Sequence, residues 1–250
     1  MIDLHCHILP GIDDGAKTLD EAIDMCRMAA AEGCRAMVAT PHQRRGAWWN
    51  ADRENITGLA RDLQAAVGSS MRIFLGGEVH ADSDLLSEVE RLPAGGIFTL
   101  AGSKYLLIEL SINARGTEAI HLVHELTVAG WRPILAHPEL IPWLAEDFDL
   151  IARLIALGAR VQVTAMSVTG DFGRGPQENT HTLIEAGLAH FVASDCHDRQ
   201  RRPPGLRRAY RTIARRWGAE VAKRLVSDNP RAVVQNRPLP EMERQAASEA

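Results

Sequence analysis

The chain has 250 residues, 46% of them hydrophobic and 24% charged, with a formal net charge of −4 at pH 7. This composition is that of a globular protein in water, its acidic balance argues against general nucleic-acid binding, and no apolar run approaches the roughly 18 residues a membrane span needs. The length admits one α/β barrel or two ordinary domains. Cys6, Cys26, Cys34 and Cys196 are scattered, and Met-Ile-Asp opens the chain without a basic segment leading into an apolar one. A reduced, cytoplasmic protein without secretory signal or membrane insertion is expected.

Short β-rich runs recur, each followed by a helical pattern. The runs are MIDLH (1–5), RAMVAT (35–40), RIFLGGE (72–78), YLLIEL (105–110), RPILAH (132–137), RVQVT (160–164) and HFVASD (190–195). The first helix is read from TLDEAIDMCRMAAAEG, where Thr18 and Glu21 form a capping box and Gly33 supplies the stop. Further helices are predicted near 52–67, 82–91, 117–129, 146–157, 177–187 and 206–217. Strands alternating with helices imply parallel βαβ units under an outer helical layer. Seven units over about 235 residues fit a closed barrel better than an open doubly wound sheet. RPLPEMERQAASEA is polar and carries two prolines, so 237–250 is read as a frayed tail behind one barrel, 1–236.

The strand ends carry the chemistry. In MIDLHCHIL, His5 and His7 occupy positions i and i+2 of an apolar strand, so both rings aim at one place while Cys6 faces away. Burying two imidazoles there costs free energy unless something binds their nitrogens; a shared metal or a hydrogen-bonded core pair would do so. His42 follows the second strand, Glu78 the third, Glu109 ends the fourth, His137 follows the fifth, and Asp195 and His197 follow the seventh. Asp13 and Asp14 lie in the first loop. In a parallel barrel all these ends open on one face. Each residue alone has a bland reading, but jointly they would be unsatisfied and mutually repulsive without a cation. The number of ligands exceeds the four of one tetrahedral zinc. It suits two or three divalent ions, and a His/Asp/Glu set without thiolate points to Mn²⁺, Zn²⁺ or Fe²⁺.

HCH, IDDG, TPH, GGE, IEL, AHPE, SDCH and RRPP, in this order, resemble the PHP (polymerase and histidinol phosphatase) superfamily. Within it the chain resembles the bacterial manganese-dependent protein-tyrosine phosphatases of capsule and exopolysaccharide gene clusters, from residue 1 to about 235. The resemblance implies a distorted (β/α)₇ TIM-like barrel holding three metals. His5, His7, Glu78 and Asp195 would hold one ion, Glu78, Glu109 and His137 the second, and Asp14, His42 and His197 the third, with Glu78 as bridge. It implies a phosphotyrosine protein substrate, the C-terminal tail of a tyrosine kinase, and assigns phosphate binding to Arg202 before Pro203-Pro204. Relatives carry an Arg where this chain has Leu140; losing one bidentate guanidinium removes about 2–3 kcal/mol of grip on a charged ligand. Arg44 or Arg45, just after His42, is a candidate to compensate, and Trp49 of the Trp48-Trp49 pair a candidate wall for a phenyl ring. His80 reads as supporting or structural.

Metal-assisted phosphomonoester hydrolysis is the expected reaction, with Asp195 or His197 moving the proton and Arg202 neutralising phosphoryl charge. Three alternatives stand beside it. Cys196 to Arg202 fits the C-x₅-R pattern of cysteine-dependent phosphatases, but no glycine shapes an anion loop and Pro203-Pro204 oppose a helix start after it. A small phosphate ester, or an amide or lactone cleaved on an amidohydrolase-type barrel, would be a different substrate; the latter lacks the carboxylated lysine expected after the third or fourth strand. A module whose metals only stabilise it would not need so many ligands. The arginine-rich segment 199–216 reads as a solvated helix face or as an anion-attracting rim.

Overall fold

Side chains on a strand alternate between two faces, and here one face fills an interior while the other lies beneath helices. The computed structural model describes residues 1–81, 85–89, 91 and 95–240. Its strands are β1 (Ile2–Cys6), β2 (Ala36–Ala39), β3 (His42–Gln43), β4 (Arg72–Leu75), β5 (Glu78–Ala81), β6 (Tyr105–Leu110), β7 (Arg132–Ala136), β8 (Arg160–Thr164) and β9 (Phe191–Ala193). All pair in parallel, in the orders β1-β2-β4 and β3-β5-β6-β7-β8-β9. β3 continues β2 beyond Thr40-Pro41, and β5 continues β4 beyond Gly76-Gly77. Gly76 N–H donates to Ala39 O (2.8 Å) and Glu78 N–H to Pro41 O (3.1 Å), so the two sheets form one course of seven staves. The last stave returns to the first: Cys6 pairs with Cys196, His7 N–H donates to Cys196 O (2.9 Å), and Asp195 N–H donates to His5 O (2.9 Å).

The helices are α1 (Leu19–Ala31), α2 (Arg53–Val67), α3 (Leu85–Val89), α4 (Gly116–Val128), α5 (Phe148–Ala156), α6 (Ala165–Thr169), α7 (Arg174–Glu185), α8 (Leu206–Trp217), α9 (Ala219–Lys223) and α10 (Asn229–Val234). Thr18 caps α1 by accepting from Glu21 N–H. Outward-facing Met37, Leu106, Ile108, Leu135, Val161, Val163 and Val192 join the larger apolar core beneath these helices. Inward-facing Leu4, Val38, Tyr105, Leu107, Ile134, Ala136 and Phe191 form a second cluster inside the ring. Among the described residues no helix is long and apolar enough to cross a membrane.

The seven strands and the helices between them stand within a few residues of their predicted places. The short β3 and β5 were not expected, because Pro41 and the Gly76-Gly77 pair each break a stave in two. α7 begins at Arg174, ahead of the expected 177, since Pro176 sits in the first turn, where no N–H is needed. The helix expected over 82–91 falls partly outside the described residues, as does the tail from 241 onward. Residues 237–240 depart from the expected frayed tail: Tyr105 Oη donates to Arg237 O (2.8 Å), and Leu239 packs on the inner cluster.

Candidate metal centre and substrate cavity

The inward-facing positions lead to the site. Val38, Thr40 and His42 follow one another along the second stave, as do Phe74, Gly76 and Glu78 on the third, Tyr105, Leu107 and Glu109 on the fourth, and Phe191, Ala193 and Asp195 on the last. A period of two thus carries each apolar interior line into a histidine or carboxylate at the mouth. His137 (φ 34°) and Asp195 (φ 53°) adopt left-handed backbone just beyond β7 and β9. Such conformations are costly for non-glycine residues and concentrate at functional sites. Gly15, closing IDDG, passes so near the backbone of His7 that a Cβ would overlap its carbonyl.

The two imidazoles of HCH define what the site requires. His5 Nδ1 donates to Gln162 Oε1 (2.8 Å), and His7 Nδ1 donates to Asp13 Oδ2 (2.8 Å). With the Nδ1 protons so committed, both Nε2 atoms present lone pairs, yet they face each other at 3.1 Å. The carboxylate oxygens nearest them are further acceptors: Asp195 Oδ1 at 3.3 and 3.4 Å, and Glu78 oxygens at 3.4 and 3.5 Å. His197 Nδ1 donates to Asp195 O (3.0 Å), which turns its Nε2 outward in the same way. Among the described residues His137 Nδ1 is buried without a hydrogen-bond partner. An acceptor-lined, buried shell of this kind is stable only with protons or cations among the lone pairs, and the donor set fits divalent cations.

All nine expected ligands come together, in four overlapping groups whose ligand atoms lie within 4.8 Å of one another: His7, Asp14, His42 and His197; His5, His137 and Asp195; His5, His7 and Glu78; and His42, Glu78 and Glu109. Asp14, His42 and His197 thus cluster as anticipated, with His7 added. The anticipated trio of Glu78, Glu109 and His137 is divided, because Glu109 groups with His42 while His137 groups with His5 and Asp195. Glu78 is central: it approaches His5 and His7, lies 2.7 Å from His42 Nδ1, and meets His137 Nε2 at 2.8 Å.

Charge follows this geometry. Burial pushes the Glu78 carboxyl up, but the charge of His5 and hydrogen bonds to His137, His42 and His5 override it and hold the group well below the usual carboxylate range. Asp195 is likewise held low against its burial, by His5, His7, Arg202 and His137. Burial disfavours the charged form of His137, yet Glu78, Asp195 and Glu109 raise it to about 9. His7 is raised against burial by Asp13, Asp195 and Glu78, whereas burial and the neighbouring His7 lower His197.

Beside this shell lies a cavity of about 330 Å³, lined by the candidate ligands His42, Glu78, Glu109, His137, Asp195 and His197, by Arg45 and Arg202, and by an apolar set of Leu110, Ile112, Leu140, Ile141 and Phe172. Arg202 pairs with Asp195 and approaches His197 Nε2 at 3.3 Å. Arg45 reaches Glu109 Oε1 (3.2 Å) and His42 Nε2 (2.9 Å). Two expectations are corrected here. Arg44 is buried with its guanidinium over Trp49 (4.9 Å), and Trp49 is 54% exposed; neither lines the cavity. Arg45 and Trp48 pair across a tight turn, so alternation puts 45 and 48 on the site face and 44 and 49 on the other. Trp48 stacks on His42, centroids 5.1 Å apart. His80 supports Glu109 (Nδ1–Oε2 3.3 Å).

Cys196 is fully buried against Cys6 and does not line the cavity, which removes it as a nucleophile. Of the arginine-rich segment only Arg202 turns into the cavity; Arg199 pairs with Asp24, Arg208 with Asp171 and Arg216 with Glu185, and Arg207 bonds Glu32, as on a solvated face. Sequence reasoning did not assign roles to Gln162 or Asp13. The signal for Gln162 was present, an amide at the centre of the otherwise apolar RVQVT.

Residues 1–235 match the CpsB/CapC family of capsular polysaccharide synthesis. The chain belongs to the CpsB/CapC family. The Bacillus subtilis tyrosine-protein phosphatase YwqE is 32% identical over 245 residues, covering 95% of this chain and 92% of that protein. A chain from the crystal structures of YwqE and of CpsB from Streptococcus pneumoniae, metal-dependent tyrosine phosphatases, superposes with a TM-score of 0.89 at 30% identity and covers 96% of each chain. Dihydropyrimidinase from Brevibacillus agri NCHU1002 shares the fold alone, with a TM-score of 0.59 at 13% identity over 95% of this chain and 71% of that one. This CpsB/CapC member has only Lys17, Lys104 and Lys223 as lysines, and none lines the cavity.

Proposed function

We propose that this CpsB/CapC-family protein is a metal-dependent protein-tyrosine phosphatase that works with Mn²⁺ and acts on the phosphorylated C-terminal tail of a bacterial tyrosine kinase of polysaccharide synthesis. The observation that carries the reading is the acceptor-lined shell of five imidazoles and four carboxylates opening beside two guanidinium groups, Arg45 and Arg202, and an apolar wall. His5, His7, Asp14, His42, Glu78, Glu109, His137, Asp195 and His197 would hold the ions. When bound, divalent cations supply Lewis acidity toward the phosphoryl oxygens and a nucleophile at neutral pH.

The chain's own groups do the rest. Arg202 gives its N–H groups to the phosphoryl oxygens, for which its planar fork is suited. Its present partners, Asp195 and His197, hold it over the shell and are the groups assigned to proton transfer. Leu110, Ile112, Leu140, Ile141 and Phe172 receive the phenyl ring and keep water from it. The leaving tyrosinate needs little protonation, because its conjugate acid has a pKa of about 10.

The test is hydrolysis of a phosphotyrosyl peptide by chelator-stripped protein, before and after adding Mn²⁺. Activity absent when stripped and restored by Mn²⁺ supports the reading, and activity that survives stripping overturns it. Leu140 favours one second reading, a small phosphate ester as substrate; Mn²⁺-restored cleavage of such esters without cleavage of the peptide would select it.

A further inference from the structure

The end of the barrel opposite the metal centre is also charged. Five of the seven staves begin on or just after a basic residue: Arg35, Arg72, Lys104, Arg132 and Arg160. Two of these share a cleft of about 520 Å³ with Arg231 of α10, and Ile2, Phe74 and Val234 give the same cleft an apolar side. Arg35 and Arg72 occupy neighbouring staves, since Arg72 N–H donates to Arg35 O (3.1 Å), which sets their backbones roughly 4.8 Å apart. The guanidinium of Arg72 lies over Phe74, 4.7 Å from its ring centroid, and is held at the cleft.

Among the described residues no carboxylate lines this cleft. Among these same residues Arg35, Arg72 and Arg231 make no ion pair, so three guanidinium groups share one cleft without a neutralising carboxylate, in a chain that has more acidic than basic residues. Arg231 lies in the last turn of α10, where the helix dipole favours a cation, but Arg35 and Arg72 have no such support, and like charges at one place repel. Guanidinium forks match phosphate oxygens, and the volume is that of small-molecule sites.

We propose that this underside cleft binds a phosphate-bearing anion, independently of the metal centre. Its source is a soluble phosphorylated molecule or a phospholipid headgroup, which share the same recognised group. Phosphate oxygens take the three guanidinium groups, and Phe74, Ile2 and Val234 take the less polar remainder of the ligand.

Arginine-selective labelling with phenylglyoxal, read residue by residue by mass spectrometry on the full metal-loaded chain, tests this. One arm adds methylphosphonate, a non-hydrolysable mimic, against sodium chloride of equal ionic strength. The other adds vesicles of phosphatidylcholine and phosphatidylglycerol against phosphatidylcholine alone. Because the unliganded fraction is 1/(1 + [L]/Kd), labelling of Arg35, Arg72 and Arg231 should slow about tenfold at roughly ten times Kd, while the exposed Arg61 and Arg153 keep their rates. Slowing by methylphosphonate identifies a soluble ligand, and slowing by anionic vesicles alone identifies a headgroup. Unchanged labelling in both arms, or equal slowing of every arginine, overturns the proposal. The Arg35→Glu, Arg231→Glu double variant should lose protection at Arg72 and keep wild-type phosphotyrosyl peptide hydrolysis. Arg45 and Arg202, resolved in the same digest, report on the metal centre separately.

Discussion

Replacing Asp13 by Asn should weaken metal binding although Asp13 is not among the candidate ligands. Its carboxylate accepts three N–H groups: Gly15 N–H at Oδ1 (2.9 Å), and His7 Nδ1–H (2.8 Å) and His42 N–H (3.1 Å) at Oδ2. An amide of the same shape has one acceptor oxygen. If that oxygen faces His7 and His42, the NH₂ opposes Gly15 N–H; if it faces Gly15, the NH₂ opposes His7 and drives its proton onto Nε2, the ligating atom. Either way a buried donor loses its partner, at about 1–3 kcal/mol, and His7 loses the charge that orients and enriches it. Groups in this position typically contribute 10–100-fold to metal affinity, equivalent to about 1.4–2.7 kcal/mol. Mn²⁺ affinity would be measured by competition with a chromophoric chelator, alongside peptide hydrolysis at saturating Mn²⁺ and a thermal melt to verify folding. An affinity within twofold of wild type in a folded variant would refute the reasoning.

Leu140→Arg should lower KM for phosphotyrosyl peptide by about tenfold, since hydrogen bonds to a charged group contribute about 1.5–3 kcal/mol before the entropy of ordering the side chain; an unchanged or raised KM would contradict the placement of Leu140 on the cavity wall. Trp48→Leu should reduce Mn²⁺ affinity several-fold by releasing the stacked His42, a ring pair worth about 0.5–1.5 kcal/mol, while Trp49→Ala should leave KM for aryl phosphates unaltered; steady-state kinetics and metal titration of the two variants would reveal a reversed order. His190 supplies a pH signature: burial, then the charge of Arg160, lowers it to about 4, whereas in the unfolded chain it titrates near 6.5. The unfolded state therefore takes up the proton first, so this contribution is fully present above about pH 6.5 and declines as pH falls toward 4, by at most about 3 kcal/mol. Urea unfolding between pH 7.5 and 4.5 should give a steeper loss for wild type than for His190→Gln, and parallel slopes would exclude the effect.

The alternation of YLLIEL, RPILAH and HFVASD made the staves legible, because each interior line is apolar until its last residue. That same regularity put Glu109 and Asp195 on interior lines, whereas His137, one residue past inward-facing Ala136, is turned in by its left-handed backbone. What sequence could not give is how ligands group in space. Glu109 and His137 sit on neighbouring staves, yet the left-handed turn at His137 carries its ring toward His5 and Asp195 instead. Trp48 and Trp49 are chemically equivalent in the sequence, and only the Arg45–Trp48 pairing decides which one faces the site. Asp13 and Asp14 pose the same problem: adjacent carboxylates in IDDG, one turned under His7 and the other toward His42 and His197.

The seam between β9 and β1 has a consequence for biosynthesis. Asp3 Oδ1 accepts from Ser194 N–H across 191 residues of chain, and immediately above that bond His5 and His7 meet Asp195 and His197. The amino-terminal half of the candidate centre leaves the ribosome first, but its partners arrive only with the last strand. Until then a nascent chain lacks Asp195 and His197, and the centre cannot be completed. Completion of the candidate centre therefore waits until synthesis has passed β9 and the ring of staves has closed.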